Sequence, residues 1–191
     1  MFGHAKQGAS YGHTKIAGKQ VLRKGLSPLA TTIYTRQGAP VLAGIRLRAG
    51  RAGSGKGAAS MVTDAIRVAR TAGATGTILV RGDSAYGNSA VAGACLKAGV
   101  GFSLVLTKNP TVTRAIATIP DHTWTPVHYP GAVLDPDTGD LISDAEVAEV
   151  ATFTAFGSTR HPVTARLIVR RVRPAHPAAT PSGAAPRLSS L

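Results

Sequence analysis

The feature that most constrains the fold is a strand pattern, a helical pattern and a second strand pattern in immediate succession. Thr77 to Val80 (TILV) reads as a short β-branched strand, Asn88 to Ala98 as a helix ended by Gly99, and Phe102 to Thr107 (FSLVLT) as another strand. Two strands joined through a helix pair in parallel by a right-handed crossover. Upstream, Leu26 to Thr35 (LSPLATTIYT) and Pro40 to Leu47 (PVLAGIRL), joined by Arg36-Gln37-Gly38-Ala39, predict an antiparallel hairpin. Between these blocks, Ala58, Met61, Val62, Ala65, Ile66, Val68 and Ala69 recur at helical spacing from Gly57 to Ala72, and Gly73 closes the run. The expected class is α/β, with a mixed sheet of antiparallel hairpin and parallel βαβ strands.

Beyond Lys108 the pattern predicts a helix over Thr111 to Ile119, between Pro110 and Pro120, and an acidic, turn-rich loop from Asp135 to Asp144. Further strands follow at Ala148 to Phe156 and Val163 to Val172 (VTARLIVRRV). From Arg173 the text becomes rich in Pro, Ala and Ser without an acid, which buries too little apolar surface to offset its ordering entropy. Residues 1–172 therefore read as the domain and 173–191 as a disordered tail.

Charge is distributed unevenly. Residues 1–63 hold Lys6, Lys15, Lys19, Arg23, Lys24, Arg36, Arg46, Arg48, Arg51 and Lys56 with no Asp or Glu, a net +10. Residues 64–156 carry all nine acids against six bases, and residues 157–191 carry six arginines and no acid. Cationic ends of this size suit a polyanion, because Lys and Arg that neutralise phosphates release condensed counterions. Nucleic acid is the expected partner, against the plainer reading of a solvated surface with an Arg- and Ala-favouring composition. No stretch without a charged residue exceeds thirteen positions, short of the roughly 18 to 20 apolar residues of a membrane span. The first twenty residues have no apolar signal-peptide block, and the single cysteine, Cys95, excludes a disulfide framework and a finger-type zinc site. These features point to the cytoplasm.

Three motifs invite chemistry. Gly50-Arg51-Ala52-Gly53-Ser54-Gly55-Lys56-Gly57 matches the phosphate loop G-x-x-x-x-G-K between a strand and a helix, but Gly57 stands where a Ser or Thr would ligate magnesium. A nucleotide binder is therefore an alternative to a flexible cationic loop beside a phosphodiester backbone. Asp83, in Arg81-Gly82-Asp83, ends a strand, the position from which α/β sheets present metal ligands and catalytic acids; an ordinary helix N-cap fits the same spacing equally well. Trp124 suits base stacking or plain packing, Cys95 falls on an apolar helix face, and no two of the six histidines share helical spacing.

A set of phrases occurring in order goes further than these signals. Gly3-His4-Ala5-Lys6-Gln7-Gly8-Ala9, Leu26-Ser27-Pro28-Leu29, Arg81-Gly82-Asp83-Ser84-Ala85-Tyr86, Asn109-Pro110, Trp124-Thr125-Pro126, Ile142 to Glu149 (ISDAEVAE) and Val163 to Arg171 (VTARLIVRR) resemble actinobacterial insertion-sequence transposases of the DDE class. The resemblance covers about residues 2 to 172. It implies a ribonuclease-H-like fold and DNA transposition by hydrolysis and strand transfer, with three acidic residues holding two divalent metals, Mg2+ or Mn2+. Asp83 matches the second acid and is the expected catalytic and metal-binding residue. The first acid belongs upstream of the Gly-His-Ala-Lys-Gln-Gly phrase and the third is a Glu, yet no Glu follows Glu149. The expectation is an incomplete ribonuclease-H-like domain, a transposase fragment inactive alone. Its expected DNA contacts are Lys6, Lys15, Lys19, Arg23, Lys24, Arg46, Arg48, Arg51 and Lys56, and full-length transposase subunits are the implied protein partners. A non-catalytic DNA-binding protein that interferes with full-length transposase is the alternative. Without the strand of the first acid, Leu26 to Leu47 and Thr77 to Thr107 are expected to form two half-sheets that share no neighbour.

Overall fold

A computed structural model describes residues 9–127, 136, 145–159, 161–172 and 188–190. The chain divides into two compact units, Met1–Ser103 and Leu104–Leu191.

The first unit begins with a three-stranded antiparallel sheet of β1 (Ser10–Ile16), β2 (Lys19–Thr35) and β3 (Gly38–Ala49). Strand β2 changes partner along its length, for Lys19 to Gly25 pair with β1 and Leu26 to Thr35 pair with β3. The predicted hairpin is present and longer at both ends, with only Arg36 and Gln37 outside the strands. Helix α1 (Ala58–Thr71) follows, burying Ala58, Met61, Ile66 and Ala69. Its end is set by Gly73, whose φ of 94° suits a residue without a Cβ. Buried Leu29 marks the inner face of the sheet, and a Cβ on Gly44 of β3 would meet the Met61 side chain at ordinary contact distance.

Strand β4 (Leu79–Gly82), helix α2 (Ser89–Lys97) and β5 (Gly101–Leu104) form the predicted βαβ unit, and β4 and β5 make a parallel two-stranded sheet. Ile66, Cys95 and Val100 centre an apolar cluster completed by Val62, Ile78, Val80 and Phe102, which locks α1 and α2 onto this pair. Cys95 is the small core residue its position predicts, and burial raises its thiol pKa. Antiparallel and parallel pairing therefore both occur, but in separate sheets rather than one mixed sheet. Among the described residues no strand joins the hairpin to the βαβ pair.

In the second unit, α3 (Pro110–Ala117) is capped by Asn109, whose Oδ1 accepts the Val112 N–H at 3.0 Å. Pro110 is its first residue rather than its boundary, because the missing N–H at that position has no helical partner to lose. A 3-10 turn at Asp121–Thr123 leads to β6 (Thr125–Val127), and β7 (Ala145–Ala155), β8 (Val163–Val172) and β9 (Leu188–Ser190) complete a four-stranded antiparallel sheet. Val112, Phe153, Leu167 and Val169 form its core, with Ile116, Ile119 and Trp124 packed against them. Residues 135–144 lie outside the described residues except Pro136, as do 173–187 and 191 of the expected tail. Leu188–Ser190 pair with Val169 to Arg171 through the main chain, a source of order that composition does not report.

Candidate nucleic-acid interface

The glycine loop between β3 and α1 is shaped by one arginine. Arg48 reaches forward from β3, and its Nη1 lies 3.1, 2.8 and 2.7 Å from the carbonyl oxygens of Gly53, Ser54 and Lys56. Its Nη2 donates to Ser27 Oγ at 3.0 Å and its Nε to the Ser27 carbonyl at 3.3 Å. A phosphate loop points its N–H groups inward around an anion. Here the carbonyls point inward around a guanidinium, and the N–H groups of Ala52, Lys56 and Ala58 are spent on turns within the segment. The loop cups a cation, which gives the nucleotide-binding reading no support.

The first glycine of the motif has a packing reason. A Cβ on Gly50 would collide with the carbonyl of Ser10 and come within 2.7 Å of that of Gly25, and a Cβ on Gly12 would run into the Gly50 carbonyl. Two glycines, Gly12 and Gly50, thus let β1, β2 and the end of β3 approach backbone to backbone. The Arg51 N–H, donating to Ser10 Oγ at 2.9 Å, fastens the loop to the base of β1. On its other side, a Cβ at Gly55 would press on the Ala85 carbonyl at 3.2 Å and the Asn88 Nδ2 at 3.1 Å. The cationic loop therefore touches both the β1–β2 ribbon and the segment carrying Asp83.

Asp83 follows directly on β4 and is exposed. Its Oδ1 accepts the Ala85 N–H at 2.9 Å and its carbonyl accepts the Tyr86 N–H at 3.0 Å, so the carboxylate stabilises a tight turn. The N-cap of α2 is Asn88, whose Oδ1 accepts the Val91 N–H at 3.0 Å, and the helix-cap reading of Asp83 is set aside. Asp64 and Asp83 are the only carboxylates in residues 1–103. Asp64 lies on α1 beside Arg46 at 3.7 Å and Arg67 at 3.6 Å. Among the described residues no three His, Cys, Asp or Glu side chains gather in a group fit for a metal. One turn-stabilising carboxylate does not match the donor set of a two-metal centre.

The expected DNA contacts fall into three groups. Lys19, Arg23 and Lys24 on β2 and Arg51 and Lys56 in the loop are exposed. Arg48 is turned inward, and Arg46 donates to Ser60 Oγ at 2.8 Å besides facing Asp64, so both serve the fold. Lys6 and the side chain of Lys15 lie outside the described residues. Trp124 is no open stacking platform, since the Arg171 guanidinium covers its ring at 4.1 Å from the centroid. That guanidinium is held in turn by Glu146, whose Oε2 accepts its Nε–H at 2.6 Å. The clamp by Arg48 and the cap by Asn88 escape sequence reasoning; Asn88 ahead of a helical run was the one readable signal.

Among the described residues no helix is long and apolar enough to cross a membrane. No curated protein and no solved structure matches the chain. A family model, that of the transposase DDE domain group 1, matches residues 23–180, a span that includes Asp83, the glycine loop, and the strand and helix that flank the loop. The chain belongs to the transposase DDE domain family.

Proposed function

We propose that the chain is a DNA-engaging part of a DDE transposase on an incomplete ribonuclease-H-like frame. In this reading Asp83 is one of the three acids and Lys19, Arg23, Lys24, Arg51 and Lys56 meet phosphates. The carrying observation is that the basic loop joins the ribbon to the Asp83 turn, while residues 1–63 contain no acid. Such a surface approaches a DNA backbone without internal neutralisation. Divalent metal chemistry requires carboxylates from outside residues 1–103, because Asp83 has no acidic companion there beyond the arginine-flanked Asp64. In this reading the isolated chain binds DNA without cleaving it.

The test pairs duplex binding with supercoiled-plasmid nicking in Mg2+ or Mn2+. Binding is expected to weaken steeply with salt, with a log-log slope of several units in magnitude, because each neutralised phosphate contributes about 0.9. No nicked circles are expected. A flat salt response sinks the DNA reading, and nicking abolished by Asp83→Ala shows that the chain does assemble a metal centre.

A further inference from the structure

The hairpin formed by β1 and the first half of β2 stands off the core. None of the described side chains from Ala9 to Pro28 is buried, and Leu29 is the first that is. Two antiparallel strands of seven residues each make a ribbon about 23 Å long. Alternation along β2 separates its faces: every even-numbered residue from Gln20 to Tyr34 is exposed, whereas the odd-numbered set contains buried Leu29 on the side of α1. The outer face of the ribbon therefore carries Gln20, Leu22 and Lys24, with His13 opposite Leu22 and Tyr11 opposite Lys24. Tyr11 is 63% exposed and Leu22 56%.

Such a ribbon fits the major groove of B-form DNA, which is about 12 Å wide and admits two paired strands. Its side chains are those that groove reading uses. An exposed Gln offers a donor and an acceptor together, matching the adenine edge, Leu22 offers an apolar contact for a thymine methyl, and His13 adds a ring nitrogen for a base edge. Lys24 on this face and Lys19 and Arg23 on the other lie within reach of flanking phosphates, and no acid between Ala9 and Thr63 opposes them. Arg51 and the glycine contacts at the ribbon's base hold it against the loop, so groove and backbone contacts are made from one connected surface.

From this placement we infer that the outer face of the β1–β2 ribbon is a base-reading site that enters the major groove of duplex DNA, with Gln20 and His13 as its specificity-determining residues. The inference rests on the DNA-binding reading above and adds sequence preference to it. An RNA duplex is a poor occupant, because the A-form major groove is too narrow for side chains to read.

The experiment selects bound duplexes from a pool with a randomised centre, using the full chain, and then measures affinity for the enriched and a scrambled duplex. Wild type is expected to enrich a short motif containing adenine. Gln20→Ala should cut the preference for that motif about tenfold while leaving the salt slope unchanged. Lys24→Ala should instead weaken both duplexes alike and lower the slope by about one. Gln20→Lys supplies a result that a misfolded variant cannot mimic, since it should move the selected position from adenine to guanine. Steeply salt-dependent binding without an enriched motif, or with one unchanged in Gln20→Ala and Gln20→Lys, overturns the ribbon inference and leaves the DNA reading intact. Failure to bind any duplex removes both, and equal affinity for double-stranded RNA overturns the groove assignment.

Discussion

At the scale of single residues, the orientation of the glycine loop depends on Arg48. A guanidinium fork satisfies converging carbonyls that would otherwise repel one another, and a lysine, with one rotatable ammonium, does not span the same set. Arg48→Met is therefore expected to destabilise the protein by about 2 kcal/mol, less than the sum of its charge-assisted bonds because water reaches the partly exposed carbonyls. The backbone around exposed Arg51 and Lys56 then loosens enough to enter the trypsin site, so limited proteolysis should cut within Gly50 to Gly57 several times faster than in wild type, with Arg48→Lys close to Arg48→Met. Unchanged cleavage would mean that the glycine contacts alone order the loop. The position of this loop between a strand and a helix is legible from the sequence. Whether it presents N–H or C=O groups is not, since that choice is made by a side chain reaching from residue 48 to residues 53–56 and back to Ser27. Asp83 was legible as a strand-end carboxylate, whereas its Asx-type turn and the capping role of Asn88 follow from where the backbone turns.

At the scale of elements, the sequence reveals those that bury a face and hides those that do not. Helix α1 and strand β8 carry periodic apolar residues and lie close to their predicted spans. Strand β1 (SYGHTKI) has none, because none of its described side chains is buried, and its ordering comes from main-chain pairing with β2. The turn between them places Ala17 at φ 47° and Gly18 at φ 77°, the pair of positive angles used by hairpin turns that match strand twist. Alanine is strained there by roughly 1 kcal/mol, and asparagine tolerates the same conformation. Ala17→Asn is expected to slow amide exchange of the β1–β2 ribbon about threefold, and Ala17→Val to speed it. The melting midpoint should barely move in either variant, because none of the ribbon's described side chains is buried. A shift of several degrees would show that the ribbon is part of the cooperative core.

At the scale of the whole molecule, electrostatics and sheet construction pull in one direction. Residues 1–103 contain fourteen bases and two acids, a net +12. A charge of this size repels itself in the compact state, and added salt screens the repulsion over a Debye length that shrinks to about 10 Å at 0.1 M. The sheets give little reserve, since among the described residues β4 and β5 form a two-stranded pair by themselves and share no neighbouring strand with the hairpin. The outer face of β3 also leaves Leu42, Ile45 and Leu47 each more than 60% exposed, so apolar burial is incomplete. Unfolding followed by circular dichroism is therefore expected to be broad at low salt, with a midpoint that rises as NaCl increases from 0.05 to ~0.5 M by screening. The same salt series weakens DNA binding, which makes the two responses opposite in sign. At low salt a saturating duplex should itself raise the midpoint, because a ligand that prefers the folded state stabilises it by mass action. A sharp transition with a salt-independent midpoint would show that apolar packing, and not charge, limits this fold, and that the surface cations are neutralised by contacts beyond those at Asp64.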